Sequence, residues 1–190
     1  MTERRHISSP LCRGSFLAGT LLCCACGSGL DDGAGSREVS KVLGSSGGDI
    51  VLSQGRFTFS PDSLAGDTTV TVRRMPTGLA GGALGAVFEV EMPSGVGLGT
   101  QDPEAAIAVT KHSDRDHVRL GFLPVTDAVE GPRYWIPVQE SEFDAAEIAV
   151  RGPMAAFRER GNVVQFAAVY TCATTDECPR GRDCQAGACQ

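Results

Sequence analysis

The chain has 190 residues, 42% of them hydrophobic, and a formal net charge of −6, so it can hold one core-bearing domain plus appendages but not two comfortable domains. The acidic balance argues against nucleic acid as a partner and against electrostatic docking on anionic lipid.

The chain opens with Arg4, Arg5 and Arg13, and Gly14 to Ala25 then runs without a charge. A basic segment followed by an apolar run of this length reads as a signal peptide over residues 1–25. No other stretch reaches the roughly 18 apolar residues that a membrane-spanning helix needs. Residues 26–46, which include GSGLDDGAGSREVSKVLGSS, are rich in Gly, Ser and charge and are expected to form a flexible tether.

From residue 47 to residue 171 short β-branched and aromatic runs alternate with turn residues, the pattern of an all-β domain. Strands are expected at Ile50 to Leu52, Arg56 to Phe59, Thr68 to Arg73, Ala86 to Met92, Ala105 to Thr110, His117 to Pro124, Arg133 to Val138, Ala146 to Arg151 and Val163 to Tyr170. Thr69-Val70-Thr71-Val72 and Phe88-Glu89-Val90-Glu91-Met92 alternate in polarity as half-buried antiparallel strands do. A helical turn competes at Glu140 to Ile148, but the period of two resumes at Ala146. Nine strands with short turns point to an antiparallel β-sandwich.

Residues 172–190 form a cysteine-rich tail. Of the eight cysteines, Cys12, Cys23 and Cys24 lie in or beside the signal. Cys172, Cys178, Cys184 and Cys189 form an even cluster, which in an exported protein reads as two disulfides with three possible pairings. A zinc site would need four thiolates in closer pairs than these gaps of five, five and four residues provide. The tail has almost no large apolar side chain, so its own core cannot offset its chain entropy. It is therefore expected to depend on its bridges, while the β-domain stands without it.

Three resemblances extend this reading. Leu21-Leu22-Cys23-Cys24-Ala25-Cys26-Gly27-Ser28 resembles the lipobox of bacterial lipoproteins, which implies acylation of Cys26, with Cys24 as the alternative. The absence of Asp after the acceptor resembles lipoproteins sent to the outer membrane, facing the periplasm or the surface; simple cleavage and secretion is the alternative. Gly47-Gly48-Asp49-Ile50-Val51-Leu52, Phe57-Thr58-Phe59-Ser60-Pro61-Asp62-Ser63-Leu64 and Thr68-Thr69-Val70-Thr71-Val72 are similar to ZU5-type β-domains. The runs at Val87 to Val90, Trp135 to Val138 and Phe166 to Tyr170 are similar to envelope proteins of that type found in myxobacteria-like genomes. Where that family has Pro-Pro-Gly-Ala-Leu, this chain has Ser60-Pro61-Asp62-Ser63-Leu64. The resemblance implies an interaction or spacer module and supplies no catalytic residues. The tail, written C-x5-C-P-x-G-x2-C-x4-C, resembles half of a Dickkopf-type cysteine-rich segment and implies a small binding or protective knot.

Candidate sites are few. Beyond the signal the only histidines are His112 and His117, and the sequence contains no G-x-S-x-G, H-E-x-x-H or P-loop, so no enzyme and no cofactor are expected. His112, Asp114, Asp116 and His117 could offer nitrogen and oxygen ligands to a divalent ion, but Arg115 among them and the flanking strand patterns read as a hairpin tip. Trp135 beside Tyr134 is a candidate anchor for a glycan or protein partner; its apolar neighbours Ile136 and Val138 argue for burial. An exposed aromatic shelf there would favour a carbohydrate-binding or adhesion module, and a pocket joining Glu140, Glu142 and Asp144 would favour an unrecognised enzyme. The leading expectation is a lipid-anchored module whose partner is protein or surface polysaccharide.

Overall fold

The computed structural model describes residues 37–76, 81–109, 116–125, 134–157, 162–179 and 181–190. The signal peptide, Cys24, Cys26, the first part of the tether, His112 and Asp114 lie outside the described residues.

Two antiparallel sheets carry the fold. The first orders its strands β1 (Glu38–Leu43), β4 (Thr68–Met75), β5 (Ala83–Glu91), β11 (Val163–Tyr170), β7 (Val118–Pro124) and β8 (Ile136–Pro137). The second runs β2 (Gly48–Leu52), β3 (Gly55–Phe59), β6 (Glu104–Ala108), β10 (Ala149–Pro153) and β9 (Glu142–Asp144). A third, two-stranded sheet joins β12 (Cys184–Gln185) to β13 (Ala188–Cys189). Because side chains alternate along a strand, Val70, Val72, Phe88, Val90, Val164 and Phe166 of the first sheet meet Ile50, Leu52, Phe57, Phe59, Ile107 and Val150 of the second in one buried cluster. The expected β-sandwich is therefore the fold.

The tether is shorter than its composition implies. Val39, Val42 and Leu43 give the end of that segment enough β-branched and apolar character to pair along β4, from Glu38 opposite Arg73 to Leu43 opposite Thr68. Expected strand Arg133 to Val138 shrinks to Ile136–Pro137, since Pro137 has no amide hydrogen to continue the ladder. Expected strand Ala146 to Arg151 is also corrected. Residues 145–148 are a turn between β9 and β10, organised by Asp144 Oδ1, which accepts the amides of Ala146 at 2.8 Å and Glu147 at 3.2 Å. An Asp at this position competes for backbone donors that a continuous strand would use.

That turn ends on Ile148 at φ 51°, with its side chain 52% exposed. A β-branched residue in the left-handed region is strained by roughly 1–2 kcal/mol. Ile148→Gly is expected to raise the unfolding free energy by about 1 kcal/mol. A thermal melt that falls instead would show the side chain to be stabilising.

The outer face of the first sheet has two halves. On one, Ser40 and Thr71 share a hydrogen bond of 2.8 Å, and Arg73 bridges Glu38 at 2.8 Å, Glu91 at 2.6 Å and Glu89 at 3.4 Å. Hydrogen bonds to Glu91 and then Glu38 hold the Arg73 guanidinium above its ordinary pKa. On the other half, Val87, Leu123, Trp135, Ala167, Val169 and Ala188 form a second apolar cluster.

The tail covers that second half. Cys172 is bridged to Cys184 and Cys178 to Cys189, and Ala186 and Gly187, at φ 51° and 81°, make the two-residue turn between β12 and β13. Two positive φ values in a two-residue loop define the turn that suits strand twist. Ala188 and Cys189 are fully buried, and Thr171 pairs with Ala188. The expectation of a tail held by its bridges alone is thereby modified: small side chains, rather than large ones, fill the space against the sandwich.

Candidate functional site

Arg119, near the start of β7, lines two clefts with polar walls. The Asp116-His117 segment leads into this strand, and Arg119 Nη1 donates to the carbonyls of Asp116 and Val118, both at 2.9 Å. Two open clefts share Arg119. One, of about 430 Å³, is lined also by Asp116, Ser141, Glu142, Phe143 and Ala145. The other, of about 410 Å³, is lined by His117, Pro137, Gln139, Thr171, Glu177 and Gly187 among others, so it lies where the sandwich meets the tail.

Buried bonds fix the walls of these clefts. Ser141 is buried, and its Oγ accepts the Leu120 amide at 2.9 Å while donating to the Val138 carbonyl at 2.6 Å. One side chain thus joins β7 of the first sheet to the approach of β9 in the second. The His117 carbonyl accepts both the amide of Thr171 at 2.7 Å and its hydroxyl at 2.9 Å. The His117 ring lies 5.6 Å from that of Tyr170.

The candidate metal ligands are only half described. Asp116 lines one Arg119 cleft and His117 the other, whereas His112 and Asp114 lie outside the described residues. The three carboxylates considered for catalysis do not converge among the described residues. Glu142 lines an open cleft and Glu140 is exposed. Asp144 holds its own turn and lies 3.2 Å from Arg151 Nε. Arg151 also bridges Glu147 at 2.6 Å, and that hydrogen bond holds its guanidinium above its ordinary pKa. The sulfurs of Cys172, Cys178 and Cys189 lie within 4.8 Å of one another, but each is in a disulfide, so none is a thiolate able to bind zinc.

Trp135 is 1% exposed and offers no aromatic shelf. Its Nε1 donates to the Gly81 carbonyl at 2.7 Å. Its backbone exchanges hydrogen bonds with Gln190: the Trp135 amide donates to Gln190 Oε1 at 3.2 Å, and Gln190 Nε2 donates to the Trp135 carbonyl at 3.3 Å. Arg182 Nη1 adds a bond to the Gly82 carbonyl at 3.1 Å. Trp135 is thus the seat of the tail.

Arg119, Ser141 and Gln190 carry no local sequence signal. Each acts on a residue at least twenty positions away or on backbone carbonyls, and spacing along the chain does not encode that. No protein family matches the sequence of this chain, and no curated protein matches it.

Proposed function

We propose that the chain is an exported cell-envelope lipoprotein, acylated at Cys26, whose β-sandwich serves as a non-enzymatic contact module for a protein or a surface polysaccharide. The observation that carries this reading is the pair of disulfides that cross-link the tail within itself, because such bridges persist in oxidising compartments outside the cytosol. The lipobox resemblance at Leu21 to Ser28 supplies the anchor, and the ZU5-like runs supply the module class. Shallow, open clefts around a fixed Arg119 suit contact with an extended partner better than enclosure of a small substrate.

In this reading the walls of the Arg119 clefts meet the partner. The full chain, immobilised through its N-terminal side and exposed to envelope extract, retains a defined component by mass spectrometry or glycan analysis. Arg119→Glu reverses the charge at the centre of both clefts and is expected to reduce retention by at least tenfold, a loss of roughly 1.4 kcal/mol. Equal retention by both forms would remove the clefts from the contact surface.

A further inference from the structure

We propose that Arg37 and Arg74 form an oxyanion site that takes a phosphate group at the end of the sandwich where the chain enters the domain. The proposal deepens the envelope reading and rests on it for the source of the phosphate, a lipid headgroup held close by the anchor at Cys26.

Arg37 precedes β1, and its carbonyl accepts the Arg74 amide at 2.7 Å, which sets the two residues side by side. Among the described residues, both line one cleft of about 450 Å³, together with Met75 and Pro76. Arg73 and Arg74 are adjacent in β4, so their side chains leave opposite faces of the sheet. The two guanidiniums meet different surroundings. Arg73 is ringed by Glu38, Glu89 and Glu91, and the more distant Arg151 by Glu104, Asp144 and Glu147.

Arg74 is half-buried and its Nη2 donates at 2.7 Å to Gln54 Oε1, a neutral acceptor. Gln54 is itself fixed: it sits at φ 73° in the turn between β2 and β3, and its carbonyl accepts the Ala108 amide at 2.9 Å. The Arg74 guanidinium is therefore oriented in advance by a neutral acceptor, and among the described residues no carboxylate bridges it. No carboxylate lines the cleft among the described residues.

A partly desolvated cation oriented by a neutral amide is stabilised when an anion reaches it. Guanidinium matches the geometry of phosphate through paired N–H donors, and two of them in one cleft favour a doubly charged phosphate over a single carboxylate. The net charge of −6 opposes general adsorption to anionic surfaces, so attraction at this cleft is local. Arg56, exposed on a different strand, serves as a control for charge alone.

The full exported chain in neutral detergent is titrated with inorganic pyrophosphate, with short-chain phosphatidic acid and with short-chain phosphatidylcholine. Saturable binding of pyrophosphate or phosphatidic acid is expected, with phosphatidylcholine weaker. Arg74→Gln is expected to raise the dissociation constant about tenfold. Arg37→Gln, at an exposed position, is expected to raise it by a smaller factor, and Arg56→Gln is expected to leave it unchanged. Binding of both anions identifies the phosphate alone as the determinant, and binding of phosphatidic acid only identifies the headgroup. No saturable binding of either, or an equal loss in Arg56→Gln, would overturn the site. An unmodified Cys26 by mass would count against the anchor without touching the pyrophosphate result.

Discussion

Cutting the chain after Thr171 is expected to lower the melting temperature of the sandwich by about 10 °C and to move the emission of Trp135 to that of a solvated indole. The tail removes from water the cluster of Val87, Leu123, Trp135, Ala167 and Val169 on the outer face of the first sheet. Uncovering an aromatic side chain of this size together with its neighbours costs about 3–5 kcal/mol, and each kcal/mol shifts the midpoint of a domain of this size by about 2–4 °C. Cys189 belongs to the main core cluster, with Cys172 and Cys178 packed against it. The loss therefore reaches beyond the outer face. Trp135 is the only tryptophan in the chain, so its emission reports this surface alone. Reduction of both bridges is expected to move emission in the same direction as truncation, because the freed tail gains the conformational freedom that closure removes. A truncated chain that melts unchanged, with Trp135 emission still that of a buried indole, would show that the tail does not support the sandwich.

Phe88→Ala is expected to destabilise the protein by about 3–5 kcal/mol, the largest effect of any single substitution considered. Phe88 is fully buried at the inner face of β5, in an edge-to-face arrangement with Phe57 whose ring centres lie 5.3 Å apart. Its ring also lies against the backbone of β3 at Gly55, where an added Cβ would come within 2.6–3.0 Å of three ring atoms. Glycine at position 55 is therefore the other half of the fit, and Gly55→Ala is expected to cost about 1–3 kcal/mol by overpacking. The two changes should not add. With the ring gone, the new methyl enters the cavity, so Gly55→Ala in the Phe88→Ala background is expected to cost much less than alone. Denaturant unfolding of the two single variants and the double variant measures the coupling, and strict additivity would show that the two residues do not share the contact.

The strands that form the sandwich core were legible because their period of two carries both their type and their buried face. Val163–Tyr170 stands at the expected limits, and β4 and β7 differ from expectation only near their ends. Legibility failed where a strand is supported mainly by its neighbour. The sequence of β1 is polar enough to read as tether, and it is ordered by the ladder along β4. It also failed at Asp144, where side-chain bonds to two amides make a turn out of residues whose alternation suits a strand. The burial of Trp135 was readable from Ile136 and Val138. That Gln190 bonds to it was not, because Gln190 acts through bonds to the backbone fifty-five positions away. The disulfide cluster was legible as two bridges, but the choice among three pairings depends on where the folded tail places the four sulfurs. The Arg119 clefts and the Arg37–Arg74 cleft arise from loops and strand ends that meet only in the folded chain.

The most direct test is the intact mass of the protein extracted from membranes, taken before and after reduction and followed by a peptide map of the unreduced chain. The expected species begins at Cys26, carries the added mass of a lipid, gains two hydrogens per bridge on reduction, and yields peptides joined through Cys172–Cys184 and Cys178–Cys189. An unmodified chain starting at Cys26 in the soluble fraction would contradict the anchor, and four free thiols in the native protein would contradict both the export reading and the docked tail.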